Sequence, residues 1–235
     1  MIEETLVAGG ELHGADLAER DLAQILRAEP ERPRVFVDCD LREADLRGAY
    51  LVDARFTGCR LDGARLDEAA LDGSRWEGGS ASGASFFSAE CAEARFERVD
   101  LATSRWLGAL LTDAVFSGCR MTGAGLGGCR GIGYRFTGCN LMLARMAGVV
   151  LRGQAIEGLR LDEADLSKAD LRETVWKDSR MRGAVLRGAL FAGADLRGAD
   201  LGEIPLAEAH VLRGATVAPG QANMLLAGIG VQVAE

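Results

Sequence analysis

The stretch "FTGCRLDGARLDEAALDGSRW" (Phe56–Trp76) places a large apolar residue at Phe56, Leu61, Leu66, Leu71 and Trp76. Small residues, Cys59, Ala64, Ala69 and Ser74, stand two places before the last four. A spacing of five is neither the 3.6 of a helix nor the 2 of a strand. The pattern extends from position 36 to position 206 without a change of phase. Of the 35 residues in that series, all but Ala81, Cys91 and Gly131 are Leu, Phe, Trp, Met or Ile, and 28 of the 35 residues two places earlier are small. Such a run is an internal repeat.

A second period lies on the first. Every fourth member of the series gives Phe36, Phe56, Trp76, Phe96, Phe116, Phe136, Ile156, Trp176 and Leu196, seven of nine aromatic. Residues twenty apart therefore share one environment, and four pentapeptides make one turn of a coil. Glycine falls two places after the large residue 19 times in 35. With the large residue first in a four-residue type II turn, that glycine stands third, where φ is positive. Each pentapeptide is then one side and one corner of a square. Stacked like parallel strands at ~4.8 Å, the 35 sides give ~8.75 coils and a rod ~42 Å long. Large residues fill the axis, and each coil buries its core only against its neighbours.

The runs "ADLSKADLRE" (Ala164–Glu173) and "GADLRGADLG" (Gly193–Gly202) resemble the pentapeptide-repeat family, A(D/N)LXX. The fold class expected is an all-β solenoid with a C-terminal capping and dimerisation helix. The square section comes from the spacing. The resemblance implies a right-handed quadrilateral β-helix.

The ends are less regular. Leu12, Leu17 and Leu22 form a weaker, out-of-phase copy of the repeat, and Ala23–Val35, with Pro30 and Pro33, interrupts it. Three regions are expected: an N-terminal irregular coil and loop cap (1–35), the β-helix (36–206) and a C-terminal cap (207–235). In "APGQANMLLAGIGVQV" (Ala218–Val233) we read a turn, a helix from near Gln221 and a short apolar tail. Met224, Leu225, Leu226 and Ile229 make its apolar face. Within the repeat, Gly131 removes a large axial side chain while Tyr134 places a ring at a small position, and Val149, Gln154 and Leu159 are oversized inward residues; local repacking is expected at both places.

Composition excludes several classes. The chain is 48% hydrophobic, enough to bury a core. No apolar run approaches the ~18 residues of a membrane span. The start, "MIEETLVAGG", lacks the flank and apolar segment of a secretory signal, so a cytoplasmic protein is expected. Six cysteines without a CxxC pair read as buried thiols. His13 and His210 have no ligand cluster around them, and no GxxxxGK[ST], GxSxG or HExxH occurs. The glycines of "GAGLGG" (Gly123–Gly128) obey the corner spacing rather than mark a phosphate loop. The expectation is a protein without catalytic activity, metal or cofactor.

A rod without chemistry acts through its surface. Around Leu51, Leu71, Cys91 and Leu111 the outward positions include Asp53, Asp72, Glu90, Glu93, Asp113, Asp170 and Glu173 against Arg130, Arg152 and Arg172. Next to them Phe87 and Leu107, twenty apart, are outward and apolar, as are Leu110 and Leu190. The segments "VLRGATVAPGQANMLLAGIGVQV" (Val211–Val233), "CRGIGYRF" (Cys129–Phe136) and "SRWLGA" (Ser104–Ala109) resemble the Qnr/MfpA-type topoisomerase-protection branch of the family. That resemblance implies a homodimer joined by C-terminal helices. It also implies a DNA mimic that binds DNA gyrase or topoisomerase IV and protects it from quinolones or natural poisons, with no direct contact to nucleic acid or membrane. The dimer role falls on Met224, Leu225, Leu226 and Ile229, and the mimicry on acids such as Asp72, Glu90, Glu93 and Asp113. The alternative is a non-enzymatic scaffold for another protein. The net charge of −8 is compatible with a basic partner, yet positions 36–201 hold 24 acids and 22 bases, so shape and one acidic face would have to act in place of overall charge.

Overall fold

In the computed structural model, which describes residues 2–30, 32–205, 208–227 and 231, the chain winds as a parallel β-solenoid. One side of the coil carries nine strands stacked in sequence order: β1 (Gly10–His13), β2 (Arg34–Val37), β3 (Arg55–Thr57), β4 (Arg75–Glu77), β5 (Arg95–Glu97), β6 (Val115–Ser117), β7 (Arg135–Thr137), β8 (Ala155–Glu157) and β9 (Val175–Lys177). From β2 onward the register advances by twenty, as in Phe36↔Phe56↔Trp76↔Phe96↔Phe116↔Phe136. The other sides pair through single bridges such as Arg60↔Ser80, Arg65↔Ser85 and Ala70↔Glu90.

Three corners of each regular coil are hydrogen-bonded turns. Around one coil, Ala64 N–H donates to Leu61 O, Ala69 to Leu66 and Ser74 to Leu71, at 3.0–3.2 Å. The third turn residue takes a positive φ, whether glycine (Gly63, +68°) or not (Glu68, +58°; Glu93, +58°). The fourth corner, after each aromatic of the strand column, differs from the sequence expectation. Among the described residues no such turn bond follows Phe56, Trp76 or Phe96. Their flanking residues are extended and hydrogen-bond to the layers on either side, so the chain turns there through a wider bend. Its corner residue keeps a positive φ, as at Gly58 (+63°).

The core is two stacks of rings. In the strand column, centroid separations are 4.9 Å (Phe36–Phe56), 4.0 Å (Phe56–Trp76), 5.3 Å (Trp76–Phe96), 4.9 Å (Phe96–Phe116) and 5.0 Å (Phe116–Phe136), every pair near-parallel. Trp176 is buried farther along this column. Across the axis Phe86 and Trp106 stack at 3.9 Å and meet the first column edge-on. Rings that stack along the rod and cross it edge to face satisfy both favoured aromatic geometries. The layer holding Trp76 and Phe86 carries the small Ala81 and Cys91 on its other two sides, which offsets the bulk of its two rings.

The small column beside the strand corner is chemically specific. Cys59, Cys119 and Cys139 Sγ donate to Phe36 O, Phe96 O and Phe116 O at 3.3–3.4 Å, and Ser179 Oγ does the same to Ile156 O at 3.2 Å. All six cysteines are free thiols. The irregular region forms one packed unit. Tyr134 is buried edge-on to Phe136, its hydroxyl accepts Val150 N–H (3.0 Å), and Gln154 Nε2 donates to Tyr134 O (3.0 Å).

Aspartates at the start of a side clamp arginines. Asp40 accepts Arg42 at 2.7 Å in its own coil and Arg60 at 2.6 Å in the next. Asp45 pairs likewise with Arg47 and Arg65, both at 2.7 Å. The side-chain hydrogen bond from Arg42 holds the Asp40 carboxyl at about 2, below its ordinary 3.8, and Arg197 does the same for Asp195. Asp45, Asp170 and Asp200 shift the same way through Arg47, Arg172 and Arg182.

At the N-terminus, Leu12 of β1 pairs with Phe36 at an offset of 24, because the step from Leu22 to Phe36 is four residues longer than two regular sides. Leu26, fully buried, occupies the missing axial place and accepts Tyr50 N–H at 2.7 Å. A short helix, α1 (Ile2–Ala8), packs on β1 with Leu6 buried. Arg34, buried at an inward small position, joins these pieces. Its guanidinium donates to Leu6 O (2.7 Å), Ala28 O (3.0 Å) and Tyr50 O, and burial pushes its pKa down.

Two outcomes follow. Phe96→Ala, which opens both ring columns, should cost about 3–5 kcal/mol in guanidinium unfolding followed by tryptophan fluorescence; a loss under about 1 kcal/mol would mean the rings do not carry the core. Carboxylates whose pKa is lowered on folding contribute stability above their unfolded pKa and lose it as pH falls. The thermal midpoint should therefore fall as pH drops through 3.8 toward about 2. An unchanged midpoint over that interval would contradict the clamp account.

Candidate partner-binding faces

The acids singled out in the sequence divide into free and engaged groups. Asp53, Glu90, Glu93 and Asp113 are exposed and, among the described residues, enter no ion pair or side-chain hydrogen bond. Asp53, Glu93 and Asp113 stand in one corner column, with Gly73 between the first two. Glu90 lies on the same side, bridged to Leu110. Asp72 is half-buried and has a structural duty, since its Oδ1 accepts Ala92 N–H of the next coil at 2.8 Å. Asp170 is held by Arg172 and Glu173 by Arg152, both at 2.6 Å. The acidic character of this side is thus concentrated in the layers from Asp53 to Asp113, and its later layers are neutralised.

Phe87 and Leu107 adjoin that region and are 45% and 56% exposed, large values for apolar side chains on a rod whose axis is fully packed. Leu110 is half-buried and Leu190 exposed. Phe87 and Leu107 line a shallow groove together with Gly48, Ser85 and, from the N-terminal excursion, Ala23, Gln24 and Arg27. Nothing in the sequence marks the excursion's share in this groove, because it lies sixty or more residues away along the chain.

At the other end, α2 (Pro219–Ala227) begins two residues earlier than expected, with Pro219 in its first turn. Gln221, which the sequence reading passed over, closes the last coil. Its Nε2 donates to Leu196 O (2.8 Å) and Ala199 O (2.6 Å), and its Oε1 accepts Ala218 N–H (2.6 Å). Met224 is exposed, and Leu225 and Leu226 are half-buried, Leu225 against the core. Ile229, and Leu206 at the end of the repeat, lie outside the described residues.

Among the described residues no group of three or more His, Cys, Asp or Glu could hold a metal ion, and no helix is long and apolar enough to cross a membrane. His13 is exposed, 3.2 Å from Glu11. Burial pushes the thiols of Cys59 and Cys129 up to about 12, so neither is a ready nucleophile at neutral pH.

Comparison with known proteins agrees with this geometry. A family model described as a pentapeptide repeat region matches residues 35–106, and a second, pentapeptide repeats in eight copies, matches 94–130 and 164–202. No curated protein matches the chain in sequence. Among solved structures, a trypsin-treated variant of QnrB1, a plasmid-mediated fluoroquinolone resistance protein, superposes with a TM-score of 0.60 at 20% identity, covering 96% of this chain and 98% of that one. Full-length QnrB1 gives 0.44 at 20% identity, covering 94% and 100%. HetL, a pentapeptide repeat protein involved in heterocyst differentiation regulation from the cyanobacterium Nostoc sp. strain PCC 7120, gives 0.38 at 20% identity, covering 80% and 88%. The first of these shares the fold. With the two family models together spanning more than half of its length, the chain belongs to the pentapeptide-repeat proteins.

Proposed function

We propose that this protein binds a type II topoisomerase, DNA gyrase or topoisomerase IV, in place of duplex DNA and shields it from poisons. The observation that carries the reading is the set of free carboxylates Asp53, Glu90, Glu93 and Asp113 beside the exposed Phe87 and Leu107. Free acids on a rigid rod attract a basic DNA-binding surface, and adjacent apolar side chains give the encounter a desolvated anchor. Duplex DNA carries one charge per ~1.7 Å, far more than this face offers. Contact through this face would therefore be local rather than along the whole rod. The fold shared with a fluoroquinolone resistance protein supports the same direction. A homodimer joined through α2 would lengthen the rod, with Met224, Leu225 and Leu226 at the junction.

A second reading, a scaffold for a different protein, is favoured by the many aspartate–arginine clamps that neutralise the other sides. A supercoiling and cleavage assay separates the two. Under the first reading, micromolar protein changes gyrase supercoiling or lowers quinolone-induced cleavage, and Glu90→Lys with Glu93→Lys removes the effect. No change in either activity would refute it. For the dimer, Leu226→Asp should give monomers by light scattering, and an unchanged dimer would remove the helix from that role.

A further inference from the structure

The outer surface of the strand column carries a feature that the proposed function does not use. Arg55, Arg75 and Arg95 are register partners in successive layers, and Arg135 continues the column beyond Val115. All four are exposed, and none makes a side-chain hydrogen bond or an ion pair among the described residues. Many arginines on the other sides are clamped by aspartate, as at Arg42, Arg47, Arg60, Arg65, Arg172 and Arg197, whereas this column holds four unclamped ones in line. Like charges directly opposed on adjacent strands are destabilising. Nothing in the packing requires arginine here, since Val115 and Val175 occupy the same column. Both flanking columns are acidic, Glu77 and Glu97 around Arg98 on one side and Asp53, Glu93 and Asp113 on the other, so the positive strip is confined to the arginines themselves.

We propose that this arginine column is a docking strip for an acidic α-helix of a protein partner. The repeat selects the occupant. Successive guanidiniums rise by ~4.8 Å per layer, and two layers make ~9.6 Å. A helix bearing carboxylates at i, i+3 or i+4, and i+7 rises ~10.5 Å over the same interval, a mismatch that arginine side chains absorb. Arg55 to Arg135 is four layers, ~19 Å, which ~13 helical residues span. A continuous polyphosphate fits less well. Each strand of a duplex spaces its phosphates ~3.4 Å apart along the axis, and the chain as a whole carries −8. The strip is one residue wide, and a helix can present one stripe of carboxylates with neutral or basic flanks.

The test is fluorescence anisotropy of the full chain with three labelled probes at low ionic strength. The first is a helical peptide of about six turns with glutamates in one stripe. The second has the same composition with glutamates spread around the helix. The third is an oligothymidylate. The striped peptide should bind at least about tenfold tighter than the other two and weaken steeply with salt. Arg75→Glu with Arg95→Glu should abolish that binding while near-ultraviolet circular dichroism of the buried rings is unchanged. Equal binding of striped and spread peptides, tighter binding of the oligothymidylate, or binding untouched by the double reversal would each overturn the proposal.

Discussion

Everything in this molecule follows from one constraint: each layer must place its hydrogen-bonding groups and its axial side chains directly over those of the layer before. A parallel solenoid has no other way to satisfy its backbone, because the groups at each bridge have partners only in the layers above and below. Ring on ring stacking enforces the same register from inside. A one-residue slip would push a ring outward and bring a charged side chain to the axis. The two requirements select the same twenty-residue period, and their agreement lets 171 residues run from position 36 to position 206 without a change of phase.

How far this was legible in the sequence depends on whether a feature is periodic. The axial column could be read because Phe36, Phe56, Trp76 and their successors recur at a fixed interval. Three corners could be read because glycine marks a positive φ. The fourth corner could not, because glycine or its substitute stands there too. Only the extended residues around each ring reveal that the chain turns without a closing bond. The Phe86–Trp106 stack is two residues long, too short to register as a series. Single-copy features left no pattern at all: Leu26 filling a vacant axial place, Arg34 gathering three carbonyls, and Gln221 closing the last coil. Each is explained by its partners, and those partners come from distant parts of the chain.

The surface shows the same division. Exposure of Phe87 and Leu107 was readable from position alone. Which acids are free was harder to read, because an arginine two residues ahead is not enough: it clamps Asp40, Asp45, Asp170 and Asp195, which stand immediately before an axial residue, but Arg55 does not clamp Asp53 at the corner. Asp170 and Asp53 belong to one side of the rod, but Asp170 stands before the axial Leu171 and is clamped, whereas Asp53 is a corner residue and is free. The rod is therefore not uniformly charged. It carries many neutralised pairs, a corner with free carboxylates and a column of free arginines, all on a regularly spaced backbone. A partner must come to these groups as they stand, so recognition is set by spacing and sign.

Spin labels placed at exposed positions of the strand column measure the layer period itself. Cysteines introduced at Arg55 and Arg135 are separated by four layers, and at Arg55 and Val175 by six. Pulsed dipolar spectroscopy should return a second distance longer than the first by about 10 Å, two layers of ~4.8 Å. Two equal distances, or a second shorter than the first, would contradict the stacking of residues twenty apart on which the whole account stands.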